Sequence, residues 1–376
     1  MGSLDGVLVA DFTRVLAGPY ATMLLADLGA TVVKVERPGA GDDTRAWGPP
    51  FAENGQSTYF QAVNRNKHSI ALDLSDAADL HIAQRLAQRA DVFIENYKPG
   101  GLTRFRLDYP SVARQNVEVV YCSISGFGAD AGKDLPGYDL LVQAMGGLMS
   151  ITGTDTPTKA GVAVVDVLTG LHATVGMLAA LRHRELTGQG QHLQVTLLGA
   201  LLSSLVNQSS AFAGAGVVAE LMGNAHPSIA PYEVFSCSDR PMILAVGNDG
   251  QFRRLVEVLG DDGLALDPRF ATNTARVSHR QELKQTLETH LSTKPADEWQ
   301  RLLTAAGVPC GPINDIGKAF TLATDLGLDP LVEIDGARQV ANPVTYTRTP
   351  ATYRSAPPAV DGDRAAVLRM LDGDLR

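Results

Sequence analysis

The chain has 376 residues, of which 45% are hydrophobic and 19% charged, a balance typical of folded globular proteins. This length exceeds the range in which one hydrophobic core keeps growing, so we expect two domains. The 32 Lys and Arg residues against 41 Asp and Glu leave a net charge of −9, which disfavours nucleic acid as a partner and requires any bound anion to be held by a local cluster.

Several features bear on the cellular compartment. The N-terminal segment has neither the basic region nor the long apolar run of a signal peptide, and Gly6 stands where a myristoylation motif needs Ser or Thr. The most apolar stretches, near 162–181 and 193–206, are interrupted by Asp166 and His172 or are too short to span a bilayer. We therefore expect a cytoplasmic protein without a membrane span. Reduced thiols and no metal site are expected because no metal-binding spacing joins the eight histidines to the three distant cysteines, Cys122, Cys237 and Cys310.

The first part of the chain alternates between strand and helix patterns. Helical patterns follow the first predicted strand and recur around 76–89 and 110–115. Strands separated by helices predict an open parallel sheet with helical crossovers, a Rossmann-like α/β fold. The predicted strands are apolar runs at 6–12, 31–36, 69–74, 91–96 and 117–124.

After Gly161 the composition changes to long apolar helices, one over 167–186 and another in the segment that begins at Gln191. A smaller domain is predicted from a Pro- and Ser-rich connection at 223–237, a strand at 242–248, and helices at 251–260 and 277–306. The predicted bounds are 1–200 for the first part of the large domain, 225–325 for the small domain, and 326–376 for a return segment that completes the large domain. The Pro-rich tail after residue 338 is predicted to lie extended across another surface.

The turn after the first predicted strand lacks the glycine fingerprint of a dinucleotide-binding fold. Glu36 stands where that fold keeps the acid that binds ribose, but the turn offers a single glycine, Gly18, followed by proline. Such a turn cannot cradle a pyrophosphate, so an NAD enzyme is disfavoured. Arg37 is able to stack on an adenine or hold a phosphate, although an isolated Arg at a strand end is more often a solvated charge.

Asp166 follows the apolar run GVAVV and opens a predicted helix. One interpretation is a helix N-cap, since Asp accepts hydrogen bonds from the exposed N–H groups there. The other is a carboxylate nucleophile that the helix N-terminus keeps ionised and oriented. The two interpretations are compatible, and Gly170, one turn on, is expected to leave space beside the carboxylate.

Two further segments are ambiguous. Residues 247–250, Gly-Asn-Asp-Gly, are typical of an ordinary turn, yet glycines with free N–H groups are also able to stabilise an oxyanion. His226 and Tyr232 lie on the Pro-rich connection, where a single histidine is more often structural than catalytic. Metal and serine-triad chemistry are disfavoured, because no metal-ligand spacing accompanies His226 and no G-x-S-x-G motif is present.

Seven strings, in order along nearly the whole chain, resemble the class III CoA-transferase family, also called the CaiB/BaiF family. The resemblance implies an open α/β large domain that binds CoA at its strand ends, a smaller α/β domain, and a homodimer of interlocked subunits. It also implies coenzyme A as a substrate and no prosthetic group. The strings lie at 11–45, 64–74, 91–100, 136–153, 164–181, 223–235 and 306–316, the first being DFTRVLAGPYATMLLADLGATVVKVERPGAGDDTR.

By motif position, the resemblance implies roles for individual residues. Asp166 matches the nucleophile, and Gly247 and Gly250 belong to a segment that resembles the family's mobile glycine loop, with Asn248 and Asp249 in place of glycines. The residues that match contacts to CoA are Val15, Arg37, Leu72, Asn96, Tyr97 and Arg104, with Arg37 against the adenine. Candidates for holding the second carboxylate of an acceptor are Arg14, Arg45, Tyr138 and His226.

One motif separates two branches that share this fold. α-Methylacyl-CoA racemases carry a histidine before an Asp as one of two proton carriers, whereas this chain has Gly137-Tyr138-Asp139. We therefore hypothesise a CoA-transferase that acts on an acyl-CoA and a carboxylic acid through an aspartyl anhydride and an aspartyl-CoA thioester. A dicarboxylate such as succinate is a candidate acceptor. The alternatives are a racemase-like enzyme and a catalytically silent CoA-binding protein.

Overall fold

A computed structural model describes residues 2–373, which divide into two compact units. The larger unit comprises Met1–Leu148, Lys159–Val218 and Leu328–Arg376, and the smaller unit comprises Met149–Thr158 and Ala219–Gly327. The predicted domain bounds stay a prediction, and one segment differs from them. Residues 149–158 belong to the smaller unit, where the Gly223 N–H donates to the Gly153 carbonyl at 3.0 Å.

Within residues 2–373, the larger unit contains a six-stranded parallel sheet, which confirms the predicted sheet type. The strands lie side by side in the order β3-β2-β1-β4-β5-β6. The last strand falls in a segment predicted to be helical, and that prediction is wrong because Gln191–Thr196 pairs in register with its neighbour. In chain order they are β1 (Leu8–Phe12), β2 (Thr31–Glu36), β3 (Lys67–Ala71), β4 (Val92–Glu95), β5 (Val120–Ser125) and β6 (Gln191–Thr196).

Helices of the described residues connect and cover the strands, with short 3-10 turns at Asp43–Ala46, Thr103–Phe105 and Asp262–Ala265. In chain order they are α1 (Ala17–Asp27), α2 (Thr58–Gln61), α3 (Ala77–Arg89), α4 (Tyr109–Ala113), α5 (Asp139–Met145), α6 (Leu148–Ile151), α7 (Val164–Thr187), α8 (Leu197–Ser204), α9 (Asn207–Ala215), α10 (Asp249–Leu259), α11 (Asn273–Ser278), α12 (Arg280–Leu291), α13 (Ala296–Ala305), α14 (Ile316–Asp325) and α15 (Arg364–Asp372).

Apolar side chains fill both faces of the parallel sheet. On one face, Leu25 of α1 and Met177 of α7 pack against strand residues such as Val120. On the other face, helices α3 and α15 cover a stack of aromatic rings in which Phe93 lies between Phe12 and Tyr121, with ring centroids 4.7 and 4.8 Å apart. Burial on both faces explains why the strands read as apolar runs rather than as alternating patterns.

Helix α7 is the one helix in the described part of the chain that is long and apolar enough to cross a membrane by length and composition. Its residues Ala173, Met177 and Ala180 are buried in the core, and it packs along α1. Packing between α1 and the sheet therefore accounts for the apolar residues on the buried face of α7, whereas Leu171 and Val175 on the same helix are exposed. The absence of a membrane span stays a prediction.

The smaller unit contains an antiparallel sheet in the order β7-β8-β9, formed by β7 (Tyr232–Ser236), β8 (Pro241–Ala245) and β9 (Cys310–Pro312). Its core joins Phe252 of α10, Leu287 of α12 and Trp299 of α13 to the buried residues of the sheet. Strand β7 lies inside the segment predicted to be a connection. That prediction is wrong because buried and more exposed residues alternate along β7 and the whole strand pairs with β8.

The chain returns to the larger unit through a hairpin of β10 (Leu331–Ile334) and β11 (Ala337–Val340). The following residues run extended along the end of α1, where the Thr352 N–H donates to the Asp27 carbonyl at 2.9 Å. The Arg354 guanidinium donates to the carbonyls of Ala26, Gly29 and Ala30. The sequence analysis did not predict α15, which ends this segment against β3 and α3.

Candidate active site

The strand order of the parallel sheet reverses between β1 and β4: β2 and β3 lie on the far side of β1, whereas β5 and β6 lie on the far side of β4. Such a switch point forms a crevice beyond the carboxyl ends of the strands, where ligands bind in open α/β folds. Three strand ends meet there: Val15 follows β1, Arg37 follows β2, and Asn96 and Tyr97 follow β4. The structure therefore brings four of the predicted CoA contacts to one edge of the sheet.

The loop after β1 is held in a strained conformation by Asn96. Its side-chain oxygen accepts from the Arg14 N–H at 3.0 Å, and its nitrogen donates to the Arg14 carbonyl at 2.8 Å. Val15, the next residue, has φ = 70°, a left-handed conformation that β-branched residues rarely adopt. The side chain of Asn96 therefore shapes the loop, a role that the sequence analysis did not predict.

Two buried lysines support the same loop. Lys34 donates to the Thr13 carbonyl at 3.0 Å and to Asp42 at 2.9 Å, and Asp42 lies 3.3 Å from the Val15 nitrogen. Burial opposes the positive charge of Lys34, but neighbouring acids led by Asp42 raise its pKa overall. Lys67 pairs with Asp11 at 3.2 Å, and burial lowers the pKa of Lys67 to about 8. The sequence signal for this network was a lysine inside the apolar strand TVVKVE.

Two arginines near this edge differ in their availability. Arg37 is half exposed and pairs with Asp43 at 2.5 Å, a surface contact that a ligand is able to replace. Arg45 binds both carboxylate oxygens of Glu36, at 2.6 and 2.8 Å, and lies 3.8 Å over the ring of Phe60. The structure therefore speaks against Arg45 as a ligand of the acceptor, because its guanidinium is committed to Glu36.

The remaining predicted CoA contacts have different surroundings. Leu72 is 3% exposed and belongs to the core beneath the edge, whereas Arg104 is exposed and lies 4.4 Å over the ring of Phe105. Arg14 lies 5.5 Å over the ring of Tyr97, and its Nε is a buried nitrogen that has no hydrogen-bond partner within residues 2–373. Burial raises the pKa of Tyr97 despite the nearby Arg14 charge.

Asp166 lies on the first turn of α7, but it is not the N-cap. The cap position is Ala163, and the carboxylate that serves this helix end comes from Asp139, which accepts from the Val165 N–H at 2.8 Å and from the Asp166 N–H at 3.3 Å. The N-cap interpretation of Asp166 is therefore wrong, because Asp139 occupies that function. The side chain of Asp166 remains available for chemistry.

Gly170 does not provide the predicted space beside Asp166. A Cβ atom at this position would lie 2.7 Å from the Ala17 carbonyl oxygen and 3.1 Å from the Tyr20 ring. Gly170 instead allows α1 and α7 to approach closely, which fixes the start of α7 against the helix that follows β1.

Electrostatics around Asp166 favour its neutral form. Burial, followed by the charge of Asp139, raises the pKa of Asp166 to about 7. Burial and the charges of Asp166 and Asp139 raise the pKa of Tyr59 to about 12. Tyr59 packs edge-to-face on Trp47, with centroids 5.2 Å apart, and both residues border a cavity of about 260 Å³. The sequence analysis missed Tyr59 and Trp47, because no local pattern distinguishes them from core aromatic residues.

A second cavity, of about 300 Å³, lies at the carboxyl ends of β4, β5 and β6. Ser123 and His192 line it and form a hydrogen bond of 2.9 Å, and the His192 ring stacks on Tyr109. Burial raises the pKa of Glu95, which also lines the cavity. Tyr97 borders this cavity as well, so it separates the cavity from the loop that carries Arg14.

In the smaller unit, the predicted glycine loop begins a helix. The Asn248 side chain accepts from the Gln251 N–H at 2.9 Å, and the Gln251 side chain accepts from the Gly247 N–H at 2.7 Å. The prediction of free N–H groups on the glycines is therefore wrong for Gly247, because the Gln251 side chain accepts from its N–H. A catalytic role of Gly247 and Gly250 stays a prediction.

Two predicted contacts to the acceptor belong to different units. His226, in the smaller unit, accepts from the Ser228 N–H at 3.1 Å and packs edge-to-face on Tyr232. Tyr138, in the larger unit, is 64% exposed and directly precedes α5, which begins with Asp139. Both side chains are available to a ligand, and their roles stay predictions.

The chain is similar to known proteins over nearly its whole length. The model of the family described as CoA-transferase family III matches residues 4–364. The chain is 43% identical to the succinate–glutarate CoA-transferase of Agrobacterium fabrum, over 98% of this chain and 96% of that protein. It is 38% identical to the acetyl-CoA:oxalate CoA-transferase of Acetobacter aceti, over 98% and 95%. A solved CaiB/BaiF family protein from Brucella suis is 40% identical with a TM-score of 0.89, covering 99% of this chain and all of that one.

Proposed function

The chain belongs to CoA-transferase family III, and we propose that its reaction proceeds through covalent intermediates on Asp166. It is a CoA-transferase, an enzyme that moves coenzyme A from an acyl-CoA to a free carboxylic acid. One observation carries the choice of Asp166: its carboxyl lies on the first turn of α7 without serving as the helix cap, because Asp139 accepts from the N–H groups there.

In the first half of the reaction, the Asp166 carboxylate attacks the thioester carbonyl, which gives an acyl-aspartyl anhydride and releases CoA as a thiolate. The thiolate then attacks the aspartyl carbonyl, which forms an aspartyl-CoA thioester and releases the first acid as a carboxylate. The incoming carboxylate attacks this thioester, and the same steps in reverse give the new acyl-CoA and free Asp166. One thioester replaces another, so the reaction is nearly isoenergetic and consumes no nucleotide.

Asp166 must be ionised to attack, and its surroundings set how readily this occurs. A pKa near 7 leaves a substantial ionised fraction at neutral pH and makes the carboxylate a stronger nucleophile than an ordinary aspartate. Its position at the N-terminal end of α7 places partial positive charge beside the reacting group. The protein therefore contributes mainly placement and charge stabilisation.

We place CoA along the edge formed by the ends of β1, β2 and β4. Arg37 and Arg104 supply exposed guanidinium groups for the adenine and phosphates, and Tyr97 supplies a ring beside the loop of Val15. Asn96 acts by shaping that loop, and Leu72 forms the core beneath it. The buried Nε of Arg14 suits an anionic oxygen, since a carboxylate or phosphate would satisfy it.

We propose a dicarboxylic acid as the acceptor. The relative from Agrobacterium fabrum is named for succinate and glutarate, and the one from Acetobacter aceti for oxalate. Arg14, Tyr138 and His226 are the candidates for the carboxylate that does not react, since each offers a hydrogen-bond donor. An α-proton racemase is disfavoured because Tyr138 stands in place of the histidine that two-base chemistry requires.

We also propose that the enzyme acts in the cytoplasm as a homodimer. Large apolar side chains are exposed on α7, on α9 and just after α9, and a second copy of the chain is the occupant expected from the family resemblance. Light scattering in solution measures this state, and the proposal requires a particle of two chains. The residues concerned are Leu171, Val175, Phe212, Val217 and Val218.

Label transfer tests the proposed reaction. The protein is incubated with succinyl-CoA and a panel of isotope-labelled mono- and dicarboxylic acids, and the CoA esters are separated. We expect label from a dicarboxylic acid such as glutarate to enter the CoA ester pool, with a loss of ~10³-fold or more in Asp166→Asn, because the carboxylate forms the covalent bond. Asp134→Asn, which removes an exposed acid, is expected to keep full activity.

Two outcomes would contradict this proposal. Entry of solvent deuterium at the α-carbon of the acyl-CoA, without transfer of label, identifies a racemase. Binding of CoA with neither activity identifies a silent scaffold.

A further inference from the structure

Asp139 is an acid that the proposed chemistry does not use, although it touches the same helix turn as the nucleophile. One of its oxygens accepts from the Val165 and Asp166 N–H groups, and the other accepts from the Gln143 side-chain nitrogen at 2.6 Å. Gln143 is fully buried, and its oxygen accepts from the Ala160 N–H at 2.8 Å. These contacts join Asp139, the first residue of α5, directly to the start of α7 and, through Gln143, to the segment that precedes α7.

We propose that Asp139 is the positioning residue of the nucleophile. It holds the first turn of α7 in place, and its negative charge repels the Asp166 carboxylate until Asp166 becomes acylated. The inference rests on the proposed function and deepens it. It assigns a role in the reaction to a residue of the larger unit other than the nucleophile.

Acylation removes the negative charge of the Asp166 side chain beside Asp139. In the resting enzyme, two carboxylates share one helix end, and their repulsion raises the free energy of the ionised nucleophile. When Asp166 forms an anhydride or a thioester, its side chain becomes neutral and the negative charge leaves with the CoA thiolate or the released acid. The repulsion from Asp139 then ends, so the charge of Asp139 favours the covalent intermediates over the resting state.

The other side chains around the start of α7 do not supply a negative charge that would repel the Asp166 carboxylate. Helix α2 contributes Tyr59, whose pKa of about 12 keeps it neutral, and α1 contributes the phenol of Tyr20 beside Gly170. Helix α8 carries no ionisable side chain, and the imidazole of His172 is exposed on the third turn of α7. Within residues 2–373, Asp139 is the one charged group that shifts the pKa of Asp166.

The variant Asp139→Asn separates the two parts of the role. An asparagine oxygen still accepts from the Val165 and Asp166 N–H groups, whereas the negative charge is lost. The new amide nitrogen at position 139 would face the side-chain nitrogen of Gln143. A second variant, Asp139→Asn with Gln143→Met, removes this opposing donor without adding a charge and covers the case in which the single variant folds poorly. Asp134→Asn serves as the control for net charge.

Two measurements follow the ionisation of Asp166 and its acylation. The Asp166 carboxyl is titrated by ¹³C NMR of aspartate-labelled protein, with Asp166→Asn used to assign its signal. The rate of the first acylation by succinyl-CoA is measured as a function of pH by rapid quenching. We expect Asp139→Asn to lower the apparent pKa in both profiles by about 1 and to reduce the plateau rate above pH 8 severalfold. Asp134→Asn should leave both profiles in place.

The outcomes distinguish this inference from the proposed function. A plateau rate that falls while both profiles keep their midpoints would show a merely structural role and overturn the inference. A lowered Asp166 pKa in Asp139→Asn, combined with a wild-type protein that is never acylated, would uphold the coupling of the two acids and refute the covalent mechanism.

Discussion

Asp166 carries its charge at a place where burial and a neighbouring acid both oppose it. Its pKa is raised from 3.8 to about 7, so the folded state holds a proton more tightly than the unfolded chain does. The resulting stability is fully present below the unfolded pKa near 4 and is lost as the pH rises through 7. Above pH 7, the ionised Asp166 side chain destabilises the fold, and the proposed reaction requires this ionised form.

Replacing the nucleophile should therefore stabilise the fold in alkaline solution. We expect Asp166→Asn to raise the free energy of unfolding by roughly 2 kcal/mol at pH 8, because the isosteric amide carries no charge to desolvate. The gain should shrink to near zero at pH 4, where the wild-type group is protonated. Urea unfolding at both pH values measures the difference, and a gain of equal size at both would show that charge is not its cause.

At the residue scale, the sequence identified Asp166 as the candidate nucleophile but did not reveal its surroundings. Asp166 was recognised because it follows an apolar run at a predicted helix start, and the resemblance supplied its role. Its N-cap interpretation failed because Asp139, distant by 27 positions, takes the cap. Tyr59 and Trp47 were missed for the same reason: their closeness to a site depends on tertiary packing, which a local pattern does not encode.

At the element scale, the loop after β1 depends on its neighbour after β4. The Asn96 side chain binds both the backbone N–H and the backbone carbonyl of Arg14, and the strained Val15 follows directly. Because strain of this kind persists only where surrounding contacts impose it, the loop should relax when Asn96 is truncated.

Truncation of Asn96 should weaken CoA binding more than turnover. We expect Asn96→Ala to raise the KM for acyl-CoA about tenfold, equivalent to ~1.4 kcal/mol, with a smaller change in kcat. Asn116→Ala is a matched control, since Asn116 also donates to a loop carbonyl, that of Ala90, away from the proposed groove. Steady-state kinetics on both variants decide the matter, and an unchanged KM for Asn96→Ala would remove this loop from the CoA site.

Fully buried apolar strands were more predictable than half-buried ones. Strand β2 was predicted over its observed residues, because apolar runs that are buried on both faces have few alternatives. Strand β6, which is as long as β2, was mistaken for helix because it is only half-buried and is followed at once by α8. The terminal helix α15 has an ordinary amphipathic pattern, and only its packing against α3 and β3 distinguishes it from the Pro-rich tail before it.

At the scale of the whole molecule, the chain order and the sheet order together define the proposed site. The sheet grows outward from β1 to β3 and then from β4 to β6, so the ends of β1 and β4 form the switch point. Val15, Asn96 and Tyr97 reach that point from distant parts of the sequence. The sequence predicted the parallel sheet, but the strand order, and hence the meeting of these residues, followed only from the structure.

The turn after β1 uses its glycine for packing. In this chain, the helix after β1 begins with Ala17 and Gly18, and Gly18 packs against Thr13, where a Cβ atom would lie 2.3 Å from that side chain. The glycine is used for close packing of the turn rather than for cradling a pyrophosphate. In the proposed site, binding of CoA relies on side chains at the strand ends, among them Arg37.

The most direct test of the account is to trap the covalent enzyme and locate the modification. The protein is incubated with succinyl-CoA, treated with hydroxylamine or borohydride, digested, and mapped by mass spectrometry. We expect a hydroxamate or a reduced side chain at Asp166 that depends on acyl-CoA and is absent from Asp166→Asn. An unmodified peptide in an enzyme that transfers CoA, or the same modification in Asp166→Asn, would contradict it.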